Sequence, residues 1–271
     1  ENIDSLVRKY GWDSNVVRVR VRGEFPNQED DVFIPLSIIE QCSSRLLELD
    51  DTDGMQFVSL GVDVARFGDD ETIIYRNYHG HCKIVRNRRG QNLMATVGDI
   101  VQEFKKIYRE HPTYEGKVYV QIDDTGLGGG VTDRLKEVRK EQKLYKMQVI
   151  PINAAEKIET DTAAGKDAAE RYNNLTTAMW ASMRDLLDNK QIVIEDDEQT
   201  IGQLSSRKYT MASNGKLEIE PKKEMKKRGL DSPDRADALA LALYLQKIKK
   251  HTGSAPSVGA MKKLSKDNYW G

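Results

Sequence analysis

The sequence predicts an α/β protein with a mixed central sheet flanked by helices. Three observations carry that reading. Apolar runs of strand length end on acids at Phe57–Asp63 and again at Val118–Asp123. Two more strand candidates, Glu71–Tyr78 and His81–Asn87, are separated by Gly80 and read as a hairpin. Helical periodicity takes over between and after these strands. With 271 residues the chain is long enough for a sizeable core. Charged residues make up 31% and the formal net charge is −1, so any affinity for a polyanion has to come from local patches. Two cysteines, Cys42 and Cys82, exclude a disulfide framework and fit a reducing compartment. No apolar run approaches the roughly 20 residues that span a bilayer. Glu1-Asn2-Ile3 carries no signal-peptide pattern and no initiator Met, so the chain is expected to be a fragment or processed form, neither secreted nor membrane-bound.

Each element has a local signal. Val16–Val21 alternates apolar and charged residues like a short strand, and Gly23-Glu24-Phe25-Pro26-Asn27 breaks it. Leu93, Val97, Ile100, Val101, Phe104, Ile107 and Tyr108 recur at helical spacing after the hairpin. A Gly-rich loop, Thr125–Gly130, follows the strand at Val118–Ile122. A helix near Val131–Glu141 and a strand near Tyr145–Ile152 come next. One long amphipathic helix is expected over Ala168–Leu187, then a strand at Gln191–Glu195. Arg207–Met211 and Lys216–Glu220 flank Ser213-Asn214-Gly215, the signature of an extra β-hairpin near 207–220. Ser232-Pro233 opens the last helix, Ser as N-cap and Pro at the first helical position, and Ala236, Leu239, Ala240, Leu241 and Leu243 mark that helix for burial. A three-strand meander followed by helix, strand, helix, strand and further helices is the order of a ribonuclease-H-like fold. Residues 1–55 are expected to be an appendage, 56–250 the domain, and 251–271 a disordered polar tail.

The acids at the strand ends are the chemical signal. A carboxylate at the end of an apolar strand is costly unless it is solvated, paired or bound to a cation. Adjacent strands lie about 4.8 Å apart, so Asp63 and Asp123 can share one divalent ion. Asp234 and Asp237, three residues apart on one helix face, complete an oxygen-rich site suited to Mg²⁺ or Mn²⁺. Two such ions would support phosphodiester hydrolysis. Simpler roles exist for single members. A strand-end acid is often a turn former, and Asp231 and Asp234 also suit a helix N-terminus through its dipole. Asp237 resists that reading, because it falls inside an apolar helix.

Three stretches carry a resemblance. Gly61-Val62-Asp63-Val64-Ala65-Arg66-Phe67-Gly68-Asp69-Asp70 resembles the first nuclease motif of phage large terminases. Ile122-Asp123-Asp124-Thr125-Gly126-Leu127-Gly128 is similar to their second, and Ser232-Pro233-Asp234-Arg235-Ala236-Asp237-Ala238-Leu239 to their third. Gly23-Glu24-Phe25-Pro26 resembles the segment joining motor to nuclease, and the similarity covers roughly residues 16–246. The resemblance implies an endonuclease that cuts double-stranded DNA with two Mg²⁺ or Mn²⁺ ions. In the host cytoplasm during virion assembly it would meet a small terminase subunit and a portal. Asp63, Asp123 and Asp237 would be the catalytic metal ligands, with Asp234 as a fourth or auxiliary acid. Asp124 competes with Asp123, but the family's acid stands two residues before the Thr-Gly, and strand alternation puts Asp123 on the side of Asp63. Asp70 matches a family position and reads better as structural. The loop at Thr125–Gly130 suits either a phosphate backbone or a tight connection. Residues 1–55 would be the linker from a missing motor domain, and no Gly-Lys step has Walker A form, so cutting without pumping is expected.

DNA contacts are expected from two basic clusters: Arg86, Arg88 and Arg89, in an acid-free stretch that also holds Lys83, and Lys222, Lys223, Lys226, Lys227 and Arg228, just before the last helix. Solvated surface is the bland alternative for each. The four histidines and two cysteines lack zinc-ligand spacing. Rival readings are a junction resolvase or transposase on the same fold, an actin-like ATPase, and a catalytically silent DNA-binding or assembly module.

Overall fold

The computed structural model describes residues 15–24, 31–44, 46–49, 57–65, 71–154, 156–160 and 163–244, with isolated positions 3, 7, 11 and 12. Asp70, Phe25-Pro26 and the polar tail beyond Lys250 lie outside the described residues. The central sheet contains β1 (Val58–Asp63), β2 (Glu71–Tyr78), β3 (His81–Arg89), β4 (Val118–Asp123), β5 (Met147–Ile152) and β6 (Val193–Ile194), in the order β5-β4-β1-β2-β3-β6. β1, β2 and β3 form the expected antiparallel meander. β4 joins β1 in parallel, β5 joins β4 in parallel, and β6 runs parallel to β3. The β2–β3 turn uses two left-handed residues, His79 at φ 49° and Gly80 at φ 91°.

The helices are α1 (Asn15–Arg20), α2 (Leu36–Gln41), α3 (Leu93–Glu110), α4 (Gly128–Glu141), α5 (Ala163–Arg171), α6 (Leu175–Asp188), α7 (Glu198–Ser206), α8 (Lys222–Lys227) and α9 (Asp234–Leu243). Strand alternation sorts the residues into two layers. Val58, Leu60 and Val62 of β1 and Val118, Val120 and Ile122 of β4 pack with Ile100 and Phe104 of α3 and Val131 and Leu135 of α4. On the other face a second core joins Trp180 and Met183 of α6, Leu204 of α7 and Leu239 and Leu243 of α9. The segment expected as an appendage contributes Phe33, Ile34, Leu36 and Ile39 to that second core.

Four sequence expectations need correction. Val16–Val21 is not a strand, because residues 15–20 form α1. Val17 and Val21, one helical turn apart, pack together, and Arg20 reaches Asp196 at 2.8 Å. The long helix over Ala168–Leu187 is two helices. Asn174, at an extended φ of −149°, breaks the run and caps α6 by accepting from Thr177 N at 2.8 Å. The strand expected at Gln191–Glu195 is reduced to the two residues of β6. Ser232 does not cap the last helix, and Pro233 stands at the cap position without a side-chain bond to the helix. The first-turn amides of α9 are met instead by Gln203 from α7. The extra hairpin is present as β7 (Tyr209–Met211) and β8 (Leu217–Ile219), with Gly215 at φ 78° in its turn.

What positions the functional end of the sheet is the seat of α9. Gly61 of β1 lies so close to α9 that a Cβ there would overlap the backbone of Ala238 and Ala242. Ser59 Oγ and Gln121 Nε2 both donate to the Ala242 carbonyl. Helix backbone thus touches sheet backbone, and sheet side chains hold the end of the helix. Gly61→Ala has no flexible neighbour to displace. It is expected to destabilise the chain by about 3 kcal/mol or more. Gly129→Ala in α4, where a Cβ would lie 3.9 Å from Asp124 Oδ1, should keep or gain stability. Urea unfolding of both variants checks this, and a wild-type midpoint for Gly61→Ala would refute the backbone-to-backbone seat.

Candidate active site

The strand ends deliver the first two acids. Val62 pairs with Ile122, so Asp63 and Asp123 leave neighbouring parallel strands side by side, on the face that α9 covers. The first turn of α9 delivers Asp234 and Asp237 to the same place. Asp63, Asp123, Asp234, Asp237, Arg207 and Lys222 line one cleft of about 760 Å³. Asp123 Oδ1 accepts from Thr125 N at 2.9 Å, which turns the chain sharply into the Gly-rich loop. Gly128 makes that turn feasible, because a Cβ there would overlap the Asp123 carbonyl. The loop is therefore a tight connection into α4. Asp124 lies outside the cleft, its backbone N–H donating to Ile152 O at 2.8 Å and its Oδ1 buried without a hydrogen-bond partner. Asp231 is exposed just before α9 and does not line the cleft.

The acids are held in different ways. Asp234 Oδ2 accepts from Glu71 N at 2.9 Å. Asp237 Oδ1 accepts from Trp180 Nε1 at 2.8 Å and Arg207 Nη1 at 2.9 Å. The Arg207 guanidinium lies over the Trp180 ring, 4.6 Å from its centroid, so the two donors brace each other. Asp63 Oδ2 is buried with no hydrogen-bond partner. Lys222, the first residue of α8, brings its ammonium in among the acids, 2.8 Å from Asp237, 3.7 Å from Asp63 and 3.9 Å from Asp234.

Electrostatics separate Asp63 from Asp237. Burial pushes the Asp63 carboxyl up to about 8; Lys222 opposes this, and Asp237, Asp234 and Asp123 add to it. Burial works against ionisation of Asp237 too, but Lys222 and Arg207 outweigh it and hold that carboxyl below its ordinary range. Burial also works against the Lys222 charge, and Asp237 and Asp63 outweigh it, keeping Lys222 protonated well above the ordinary lysine range. As the side chains stand, no group of three or more His, Cys, Asp or Glu residues among those described is arranged to hold a metal ion. The cation at the centre of the acids is Lys222.

The basic clusters divide. Lys222 is directed at the acids of the cleft, with its side chain 42% exposed. Lys223 and Lys226 are exposed, and Lys226 stands at the cleft. Lys227 pairs with Glu224 at 2.7 Å, and Arg228 pairs with Glu220 at 2.6 Å. Arg86 is committed to the fold through Glu103 at 2.6 Å and Asp99 at 3.3 Å. Arg88 and Arg89 are exposed, Arg89 in contact with Glu71 at 2.9 Å. Sequence reasoning missed Arg207, Trp180, Gln203 and Glu71. A buried indole N–H needs an acceptor, and that was the one available hint that Trp180 faces an acid.

Comparison with known proteins agrees with this geometry at the level of fold. The nuclease domain of the large terminase subunit gp2 of bacterial virus Sf6 superposes with a TM-score of 0.59 at 17% identity, over 78% of this chain and 98% of that one. A mutant of that domain with manganese and beta-thujaplicinol gives a TM-score of 0.59 at 16% identity, with the same coverage. A mutant form with calcium gives 0.59 at 16%, again over 78% and 98%. No family model matches the sequence, and no curated protein matches it. The class the architecture defines is therefore a ribonuclease-H-like α/β fold. Within that class, the chain has the fold of a large-terminase nuclease domain.

The Asp63 environment fixes a pH response. Between about pH 4, where an unfolded aspartate ionises, and about 8, the folded chain holds a proton on Asp63 that the unfolded chain lacks. Stability of the metal-free protein should therefore fall as pH rises through that window. Asp63→Asn removes the response, so its melting temperature should exceed wild type by a margin that widens from pH 5 to pH 8. Thermal unfolding in chelator measures it, and a constant margin would overturn the assignment.

Proposed function

We propose that this chain is a divalent-metal-dependent nuclease that hydrolyses phosphodiester bonds of double-stranded DNA, serving as the cutting domain of a phage packaging terminase. The observation that carries this reading is the convergence of Asp63, Asp123, Asp234 and Asp237 from two strand ends and one helix turn on one cleft, with the Lys222 ammonium among Asp63, Asp234 and Asp237. The donor set fits the ion, since hard divalent cations prefer carboxylate oxygens, and Asp63 Oδ2 has no hydrogen-bond donor of its own. Asp63, Asp123 and Asp237 would hold it, with Asp234 in support. The chemistry two such ions supply is activation of a water and stabilisation of the leaving oxygen. The manganese and calcium named for the Sf6 domain structures point the same way.

The protein's own residues prepare the site. Trp180 and Arg207 fix Asp237 with one oxygen committed, so its Oδ2 is the one presented to a cation. Glu71 N does the same for Asp234. Lys222 neutralises the crowded carboxylates, and an ion held by the same oxygens would compete with its ammonium. Lys223, Lys226, Arg88 and Arg89 would engage phosphates, which gives positioning without sequence readout. In the complete packaging machine, partners would be the small terminase subunit and the portal, in the host cytoplasm. Among the described residues no helix is long and apolar enough to cross a membrane.

Two measurements test the reading. Plasmid DNA should be nicked or linearised with Mn²⁺ or Mg²⁺ and left intact with EDTA, and Asp237→Asn should lower the rate by at least about 100-fold. Cleavage in excess chelator would sink the metal-dependent mechanism. Lys222→Ala should lower the metal-free melting temperature by leaving the carboxylates to repel one another. Mn²⁺ should then raise it by more than it raises wild type, because no ammonium competes. Equal Mn²⁺ shifts in both proteins would show that Lys222 and the ion do not share a place.

A further inference from the structure

Helix α7 touches the acidic turn of α9 at three points. Asp197, its N-cap, accepts from Arg235 Nη1 with both oxygens at 2.8 Å. Gln203, only 6% exposed, accepts with Oε1 from Arg235 N at 2.9 Å and Ala236 N at 3.1 Å, and donates with Nε2 to Ser232 O at 3.3 Å. Arg207, immediately after α7, donates to Asp237. Arg235 also contacts Glu71 Oε2 at 3.4 Å, and the Glu71 amide is the donor to Asp234.

The position of Gln203 is chemically restrictive. The first amides of a helix have no intrahelical partner. Here the residue at the cap position, Pro233, offers no side-chain acceptor. The Gln203 amide supplies the acceptor for two of those groups and, through its NH₂, ties down Ser232 in the segment that leads into the helix. A carboxamide both accepts and donates, which neither a carboxylate nor an apolar side chain of that length does. Because Arg235 and Ala236 lie between Asp234 and Asp237, the angle at which both acids enter the cleft follows from these bonds.

We propose that Gln203 is a positioning residue for the metal-binding carboxylates, acting through the first turn of α9, with α7 as a splint that sets the reach of Asp234 and Asp237. This rests on the nuclease reading for its consequence in catalysis, but the brace itself can be measured without it. Outer-shell partners of metal ligands are worth about 10–100-fold in metal affinity or activity.

The test uses three variants in the full chain. Gln203→Met keeps the length without polar atoms, Gln203→Asn keeps the amide one methylene too short, and Gln203→Glu keeps only the acceptors. Amide hydrogen exchange should show Arg235 and Ala236 protected in wild type and in Gln203→Glu, and unprotected in the other two. Calorimetric Mn²⁺ affinity and the kcat of plasmid nicking should fall about tenfold or more in Gln203→Met and Gln203→Asn, with KM for DNA unchanged. Gln203→Glu should retain more of both than either. Should Gln203→Met fail to fold, Gln203→Asn carries the same expectation. A folded variant that loses amide protection yet keeps wild-type Mn²⁺ affinity and kcat overturns the proposal. A wild-type chain that neither binds Mn²⁺ nor cuts DNA overturns the nuclease reading instead, and the exchange data then judge the brace alone.

Discussion

The contact on which the site depends is that of α9 with β1 at Gly61. Sheet and helix normally keep side chains between them, which leaves room for the layers to slide. Here the missing side chain lets backbone meet backbone, and Ser59 and Gln121 hold the Ala242 carbonyl from below. The helix can then neither rise nor slip without breaking bonds at its far end. Its near end, bearing Asp234 and Asp237, is thereby set against Asp63 and Asp123. Four carboxylates meet because one glycine allows the approach.

That approach creates an electrostatic problem, which the surrounding residues solve unevenly. Asp237 receives an indole, a guanidinium and an ammonium, whereas Asp63 is left with one buried oxygen that accepts no hydrogen bond and a carboxyl that favours its proton. A cleft of this kind is a poor place for a permanently neutral structure. On the proposed reading one positive charge would replace another there, and Lys222 sits at the start of a six-residue helix whose other lysines face solvent. The same short helix therefore joins the acidic interior to the surface that a polyanion would meet.

Much of this was legible in the sequence, for identifiable reasons. Strand ends at Asp63 and Asp123 were marked by apolar runs stopping on a charge, and Asp237 by its presence in an apolar helix. Both signals are local. The family's spacing before the Thr-Gly and the alternation of Val118, Val120 and Ile122 together favoured Asp123 over Asp124, and Asp123 is the one that lines the cleft. The partners of those acids were not legible, because they come from afar: Trp180 is 57 residues from Asp237 and Arg207 is 30. Lys222 was read with its neighbours as a phosphate contact, because a run of lysines gives no sign of which one reaches the acids. At Val16–Val21 the error was one of period, since six residues of mixed valine and arginine satisfy a strand and, through Val17 and Val21, a helix turn as well.

The two faces of the sheet are built from different kinds of interaction. Toward α3 and α4 it presents valine, leucine and isoleucine, a surface that volume-conserving exchanges can rewrite at little cost. Toward α9, β1 and β4 present Ser59, Gly61, Asp63, Gln121 and Asp123, where hydrogen bonds and a steric minimum forbid such exchange. Drift can therefore accumulate on one side of the sheet while the other stands still. The fold can then be kept at low sequence identity, as it is with the Sf6 nuclease domain at 17%.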